Sequence, residues 1–350
     1  MLLHEILFFI IFLIFIAIIL FIDLKVIGKH AHVVSAKEAA IWSAVWIGLS
    51  LLFAVFIRYF GEIIHGITDM ASLDKVLHEF YPEIKKHGAD YLTNIDFFRQ
   101  QMSINYLSGY FLEKSLSVDN LFVMMMIFSA FSVRQSQYKT VLEYGIIGAV
   151  LMRFIFIFVG AAIINLFDGI LLFFGAFLVY SGIKMFIERN KEEKVETKNH
   201  PVLKFLSRHF KIYPRYVNER FFIRKEHILY MTPLFIVVIF IEFSDLIFAF
   251  DSIPAIFSVT RDPFIVFFSN IFAILGLRSL FFLLVKVVDK FHYLKAGISF
   301  LLIFVGIKLL FHTYLEEIGY RSEYSLFVIL GILTLSIVVS LLIKKPEKIS

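Results

Sequence analysis

The sequence predicts an all-α, polytopic transmembrane helix bundle of about nine spans carrying a 3+3 inverted-topology repeat. Three observations predict it. Apolar residues make up 59% of the chain and its mean hydropathy is +0.83, well above that of a soluble domain. Apolar stretches of about 18 residues or more recur along the whole length, enough for each to cross a bilayer as a helix. A set of charged motifs also occurs twice in the same order. Lipid offers the backbone no hydrogen bonds, so continuous apolar runs must satisfy themselves as helices rather than barrel strands.

Taken in order, the predicted spans are 3–22, 39–59, 105–130, 138–164, 166–187, 228–258, 263–287, 294–313 and 324–343. Met1 to Phe21 has neither a basic flank nor a small-residue cleavage pattern, and reads as a retained first span. The predicted units are two N-terminal helices in 1–60, an extracytoplasmic loop in 61–104 and a first three-helix repeat in 105–187. A basic cytoplasmic loop in 188–227, a second, inverted three-helix repeat in 228–313 and a C-terminal helix with a basic tail in 314–350 follow. The outer loop leans acidic, with Glu62, Asp69, Asp74, Glu79, Glu83, Asp90 and Asp96.

Basic residues fix the orientation. Lys25, Lys29 and Lys37, Arg134, the basic loop 188–227, Lys286, Lys290 and Lys295, and Lys344, Lys345 and Lys348 all fall on one side. That side is the cytoplasm, so the N-terminus lies outside and the C-terminus inside a cytoplasmic membrane. The net charge of +5 follows this topology and gives no reason to invoke nucleic acid. The absence of cysteine excludes disulfides and thiolate metal sites, and with them the preferred ligand of soft metals.

The duplicated motifs carry the chemistry. Glu113-Lys-Ser-Leu-Ser-Val-Asp119-Asn120 in the third span parallels Asp245-Leu-Ile-Phe-Ala-Phe-Asp251-Ser252 in the sixth. Met152-Arg153-Phe154 parallels Leu277-Arg278-Ser279, and Gly182-Ile183-Lys184-Met185 parallels Gly306-Ile307-Lys308-Leu309. A unit of three spans is odd, so its copy enters the membrane from the opposite side, as in many secondary transporters.

Glu113, Asp119, Glu242, Asp245 and Asp251 all fall inside predicted spans. One acid at a helix centre costs about 2.5–3.5 kcal/mol, so the set needs partners or a wet cavity. Two readings stand. Lys114, Arg153, Lys184, Arg278 and Lys308 could neutralise the acids in purely structural ion pairs. Alternatively, Lys184 and Lys308 snorkel to the interface while Arg153 and Arg278 pair with only some of the acids, leaving oxygens over for a cation. Glu242 and Asp245, three apart, share a helix face, whereas Asp119 does not share one with Glu113. Pro254 has no N–H for the carbonyl of Phe250; it either opens a turn beside Asp251 or marks an ordinary kink near a helix end. Carboxylates with Asn120, Ser252 and a freed carbonyl form an oxygen-rich set suited to Mg²⁺, Ca²⁺ or Mn²⁺. His30 and His32 on the inside, and His65, His78 and His87 outside, read as solvated surface residues. Segment 201–211 reads equally as an interfacial helix and as a plain basic linker.

These motifs resemble the TerC family. Glu113-Lys-Ser-Leu-Ser-Val-Asp119-Asn120-Leu-Phe-Val is similar to its first signature and Glu242-Phe-Ser-Asp245-Leu-Ile-Phe-Ala-Phe-Asp251-Ser-Ile-Pro-Ala to its second. His30-Ala-His-Val-Val-Ser35 and Leu275-Gly-Leu-Arg278 also match. The resemblance implies a multi-pass cytoplasmic-membrane protein in a wider cation-exporter group that includes LysE-type carriers. The family is linked to tellurite resistance by name, and its Alx-type members to manganese export. It implies ion-site roles for Glu113, Asp119, Asn120, Glu242, Asp245, Asp251 and Ser252, with Mn²⁺ favoured, Ca²⁺ as the alternative and protons as coupling ions. No resident cofactor and no enzymatic activity are expected. A competing class is a non-transporting membrane scaffold or accessory protein in metal handling or stress resistance, recruiting partners through loops 60–104 and 188–227. An intramembrane aspartyl protease is disfavoured by the lack of a Gly-x-Gly-Asp pattern. Two departures from the family pattern are the longer outer loop and Arg134 where proline is common.

Overall fold

The computed structural model describes residues 2–26, 35–82, 84, 90–166, 169–188, 208, 210–287, 293–311, 314–315, 320 and 322–343. The chain is an all-α polytopic bundle with one small hairpin. Its helices are α1 (Leu2–Val26), α2 (Ala36–Phe60), α3 (Glu62–His65), α4 (Met70–Phe80), α5 (Tyr91–Ala130), α6 (Gln135–Leu166) and α7 (Gly169–Glu188). Strands β1 (Phe222–Lys225) and β2 (Ile228–Met231) form the antiparallel hairpin. Then come α8 (Pro233–Phe257), α9 (Pro263–Leu275), α10 (Leu277–Val287), α11 (Leu294–Leu310) and α12 (Ser322–Leu342). Among the described residues, five helices are long and apolar enough to cross a membrane: α1, α2, α6, α8 and α12. The bent pair α9–α10 makes a sixth, and a count of nine requires α5, α7 and α11 to cross as well. On α1, Leu3, Leu7, Ile11, Ile14 and Ile18 lie exposed, the face a helix turns to lipid.

Three expectations change, and one choice left open is decided. The segment read as an outer loop is folded: α3, α4 and the first turns of α5 form a cap. Its Leu73, Val76, Leu77 and Phe80, at helical spacing, are buried in the main core together with Tyr81, Ile95 and Phe98. The acidic residues masked this pattern, although two of them start helices. Asp69 and Ser72 form a capping box on α4, and Asp90 caps α5 through the Thr93 N–H. At 40 residues α5 is about 60 Å long, twice the hydrocarbon thickness, so its N-terminal turns belong to the cap.

The sixth predicted span starts at Pro233 rather than 228, because Ile228–Met231 pairs with Phe222–Lys225. The span predicted over 263–287 bends by 41° at Gly276. Finally, α8 stays helical through Pro254 to Phe257, so no turn opens beside Asp251.

The helices that position the acids pack reciprocally. Helix α5 lies against α9, α6 against α8, and α7 against α11. The last crossing is close because glycines face each other: a Cβ on Gly306 would sit 2.7 Å from the carbonyl oxygen of Gly175, and one on Gly175 would sit 3.0 Å from that of Gly306.

Candidate intramembrane cation site

Arg153 on α6 is the hub of the buried polar cluster. It is fully buried, as is Glu113 on α5, and the two form an ion pair through one guanidinium nitrogen and Oε1. The same nitrogen donates to Asn270 Oδ1 on α9 at 2.5 Å, and the second donates to Asp245 Oδ1 on α8 at 3.3 Å. Asn120 on α5 also donates to Asp245 Oδ1, at 3.2 Å, and Ser117 donates to Glu113 Oε1 at 3.0 Å. Glu113 and Asp245, distant in sequence, therefore meet around one guanidinium, with Asn120 bonded to Asp245 beside it. Burying such a charge inside a bundle is tolerable only with this kind of partner set.

Arg153 does not saturate the acids. Among the described residues, Glu113 Oε2, Asp245 Oδ2 and both Glu242 carboxylate oxygens are buried without a hydrogen-bond partner, as are Asn120 Oδ1 and Ser252 Oγ. Buried polar atoms are almost always bonded, so six in one neighbourhood call for a ligand or water. Two small cavities adjoin them. The first, about 20 Å³ and large enough for one water, is walled by Gly145, Glu242, Asp245, Arg278 and apolar residues. The second, about 10 Å³, is walled by Asn120, Ser252, Met185, Phe248 and neighbouring leucines and isoleucine. Asn120, bonded to Asp245, links the two. Asp119 and Asp251 lie in α5 and α8, but their side chains lie outside the described residues. Among the described residues, no group of three or more His, Asp or Glu is arranged to hold a metal ion.

The other intramembrane charges separate from this cluster. Arg278 pairs with Glu143 of α6 at 2.9 Å, an acid the sequence reading passed over. Lys114 donates to the Ala273 carbonyl at 3.1 Å. That carbonyl lies in the last turn of α9, where the break at Gly276 leaves oxygens without helical donors. Lys184 is exposed, and Lys308 lies 6.0 Å from the ring of Tyr320. Asn270 was missed as well. An amide in a run as apolar as Phe264–Leu275 was the available signal.

The histidines divide. His78 is exposed, while His30, His32 and His87 lie outside the described residues. His65, expected at the surface, is fully buried beneath the cap. Its Nδ1 faces Glu5 Oε1 of α1 at 3.0 Å and its Nε2 faces Asp262 Oδ2 at 2.9 Å, while Tyr81 donates to Asp262 Oδ2 at 2.8 Å. Asp262 also caps α9 through the Phe264 and Ile265 N–H groups. With carboxylates at both ring nitrogens, both nitrogens must donate, so the ring is an imidazolium. Burial alone would lower its pKa, but the charges and hydrogen bonds of Asp262 and Glu5 outweigh that and raise it to about 9.

Residues 98–348 match the integral membrane protein TerC family. The chain belongs to this family. It is 42% identical over 331 residues to the Salmonella typhi protein named "Putative membrane-bound redox modulator Alx", covering 94% of this chain and 92% of that one. The Escherichia coli K12 protein of the same name is 41% identical over the same shares. A Myxococcus xanthus protein named "Uncharacterized membrane protein STKORF319" is 39% identical, over 95% of this chain and 91% of its own. No solved structure matches the chain. In this TerC-family chain both signature segments fall on helices that supply the cluster: α5 carries Glu113 and Asn120, and α8 carries Glu242 and Asp245.

Proposed function

We propose that this TerC-family protein exports a hard divalent cation, Mn²⁺ foremost and Ca²⁺ second, across the cytoplasmic membrane. One observation carries the reading. Three acids on two helices, Glu113, Glu242 and Asp245, keep buried carboxylate oxygens without hydrogen-bond partners; Glu242 and Asp245 line a cavity the size of one water or one bare ion, and Arg153 ties Glu113 to Asp245. Oxygen-only donors of this kind suit Mn²⁺, Mg²⁺ and Ca²⁺ over softer metals.

Arg153 pairs with both Glu113 and Asp245, one positive charge against two acids. An entering cation would take the free oxygens of those acids, with Glu242, Asn120 and Ser252 beside them. Asp119 and Asp251, one from each three-helix unit, would complete the set. Protons and the cation compete for the same oxygens, which gives an antiporter its coupling. The reciprocal pairing of α5 with α9, α6 with α8 and α7 with α11 supports two inverted units that rock about the site. The excess of lysine and arginine on one side supports an N-terminus outside and a C-terminus in the cytoplasm.

The relatives' name speaks of redox modulation. This chain has no cysteine and brings no thiol couple of its own, so a redox effect would follow from the metal it moves. In everted vesicles, Asp119→Asn and Asp251→Asn should each abolish Mn²⁺ flux while membrane insertion persists; unaltered flux in both would remove the mechanism. Purified protein in liposomes separates the remaining class. Flux appearing only with an added partner would favour an accessory scaffold, with the cap over 62–104 as its docking element.

A further inference from the structure

Glu242 is the one described acid of the cluster that neither Arg153 nor an amide touches. Its carboxylate is nonetheless held in place, by shape. It lies against α6 at Gly148, so tightly that a Cβ on Gly148 would overlap the carboxylate carbon and both oxygens. One turn back, a Cβ on Gly145 would sit 3.7 Å from Glu242 Oε1. The two glycines thus open a notch in the face of α6, and the Glu242 head group fills it. Five residues on from Gly148, the same helix presents Arg153 to Asp245. Helix α6 therefore meets two acids of α8, Asp245 by charge and Glu242 by a missing side chain. The notch borders the 20 Å³ cavity, and Gly145, Glu242 and Asp245 all line it.

We propose that Gly148 is a positioning residue for cation binding. It seats the Glu242 carboxylate in the wall of the cavity, with both oxygens unbonded and the cavity open. The inference rests on the transport reading above and assigns this glycine a role within that site. A methyl group at 148 drives the carboxylate out of the notch and into the space a cation would use. A glycine kept only for helix packing would not be rescued by shortening Glu242; a glycine kept to seat its carboxylate would.

The test uses full-length protein in liposomes, with Mn²⁺ as the probe and uptake measured against its concentration. Gly148→Ala should raise the half-saturating concentration at least tenfold, or abolish uptake. The Gly148→Ala/Glu242→Asp pair, one methylene shorter at 242, should recover most of the loss. In parallel, melting temperatures in detergent are compared for Gly148→Ala, Glu242→Ala and the double variant. The shift caused by Gly148→Ala should shrink by at least half when Glu242 is alanine. A wild-type protein that moves no divalent cation overturns the transport reading, and the melting cycle then decides the seating of Glu242 by itself. An active wild type whose Gly148→Ala variant keeps its half-saturating concentration overturns the inference alone, as do melting shifts that simply add.

Discussion

Two buried clusters of acids divide the polar interior of this protein, and they are built on opposite terms. Under the cap, Glu5 and Asp262 meet His65 and Tyr81, and none of the side-chain oxygens and nitrogens of these four residues is left buried without a partner. In the bundle, Glu113 and Asp245 pair with Arg153 while Glu242 lines a cavity wall with Asp245, and four of the carboxylate oxygens of these three acids have none. Both clusters are buried and each is built around a basic side chain, so burial is not what distinguishes them. Satisfaction is. A saturated cluster has nowhere to put a ligand and ties α1, the cap and α9 together. An unsaturated one bears a standing cost, about 1–3 kcal/mol for each unpaired buried group, which a bound cation would remove.

The harshest way to break this contrast is to remove the one cation of the inner cluster. Arg153→Met should leave Glu113 and Asp245 buried as uncompensated charges, at a cost of about 3–5 kcal/mol. The expected outcome is protein that barely accumulates, or that melts far below wild type in detergent. Adding Glu113→Gln and Asp245→Asn should restore much of the stability and none of the transport. If Arg153→Met alone melts like wild type, the acids are not held as anions by this residue.

A smaller effect should come from the outer cluster, through pH. The folded-state pKa of His65 is raised from 6.5 to about 9. Its contribution to stability is therefore fully present below pH 6.5, falls through the window from 6.5 to 9, and is gone above it. The ring meets Glu5 from α1 and Asp262 at the start of α9, and Tyr81 at the end of α4 donates to the same Asp262 oxygen. Melting temperature should drop as pH rises from 7 to 10, and His65→Gln should be less stable at pH 7 but flatter across the range. Parallel curves for the two proteins would mean that His65 is neutral throughout.

The sequence made the helical bundle legible because apolar runs long enough to span lipid have few other readings. It made much of the inner cluster legible too: Glu113, Glu242 and Asp245 could be named because charge stands out against apolar spans, and Asn120 and Ser252 because each follows an aspartate in the duplicated motif. The partners were harder. Glu143 sits in a mixed stretch near a helix start, and Asn270 carries no charge, so neither announced that it would meet an arginine 135 or 117 residues away. The outer cluster was invisible. Its histidine stands in a segment whose acidic composition resembles a solvated loop, while the burial that matters comes from Leu73, Val76, Leu77 and Phe80 folding over it. Gly148 could not be found either, since its role is the space it leaves for a side chain 94 positions on.

The finest test of the contrast asks for almost no effect on stability. Glu242→Gln keeps the volume of the side chain and removes its ability to ionise. Neither carboxylate oxygen has a hydrogen-bond partner among the described residues, so nothing is broken in the folded protein. Neutralising a desolvated acid beside Asp245 should leave the melting temperature unchanged or raise it slightly, by the equivalent of about 1 kcal/mol or less. Transport should nonetheless fall sharply, because a neutral amide contributes far less to holding a divalent cation than a carboxylate does. Asp262→Asn in the saturated cluster should do the reverse, weakening the imidazolium contact and lowering the melting temperature by the equivalent of about 1–3 kcal/mol while leaving cation uptake intact. Paired melting and uptake curves for the two variants decide it. A clear loss of stability in Glu242→Gln would mean that its oxygens already have structural partners, and the distinction between a saturated clasp and an open site would fail at its most exposed point.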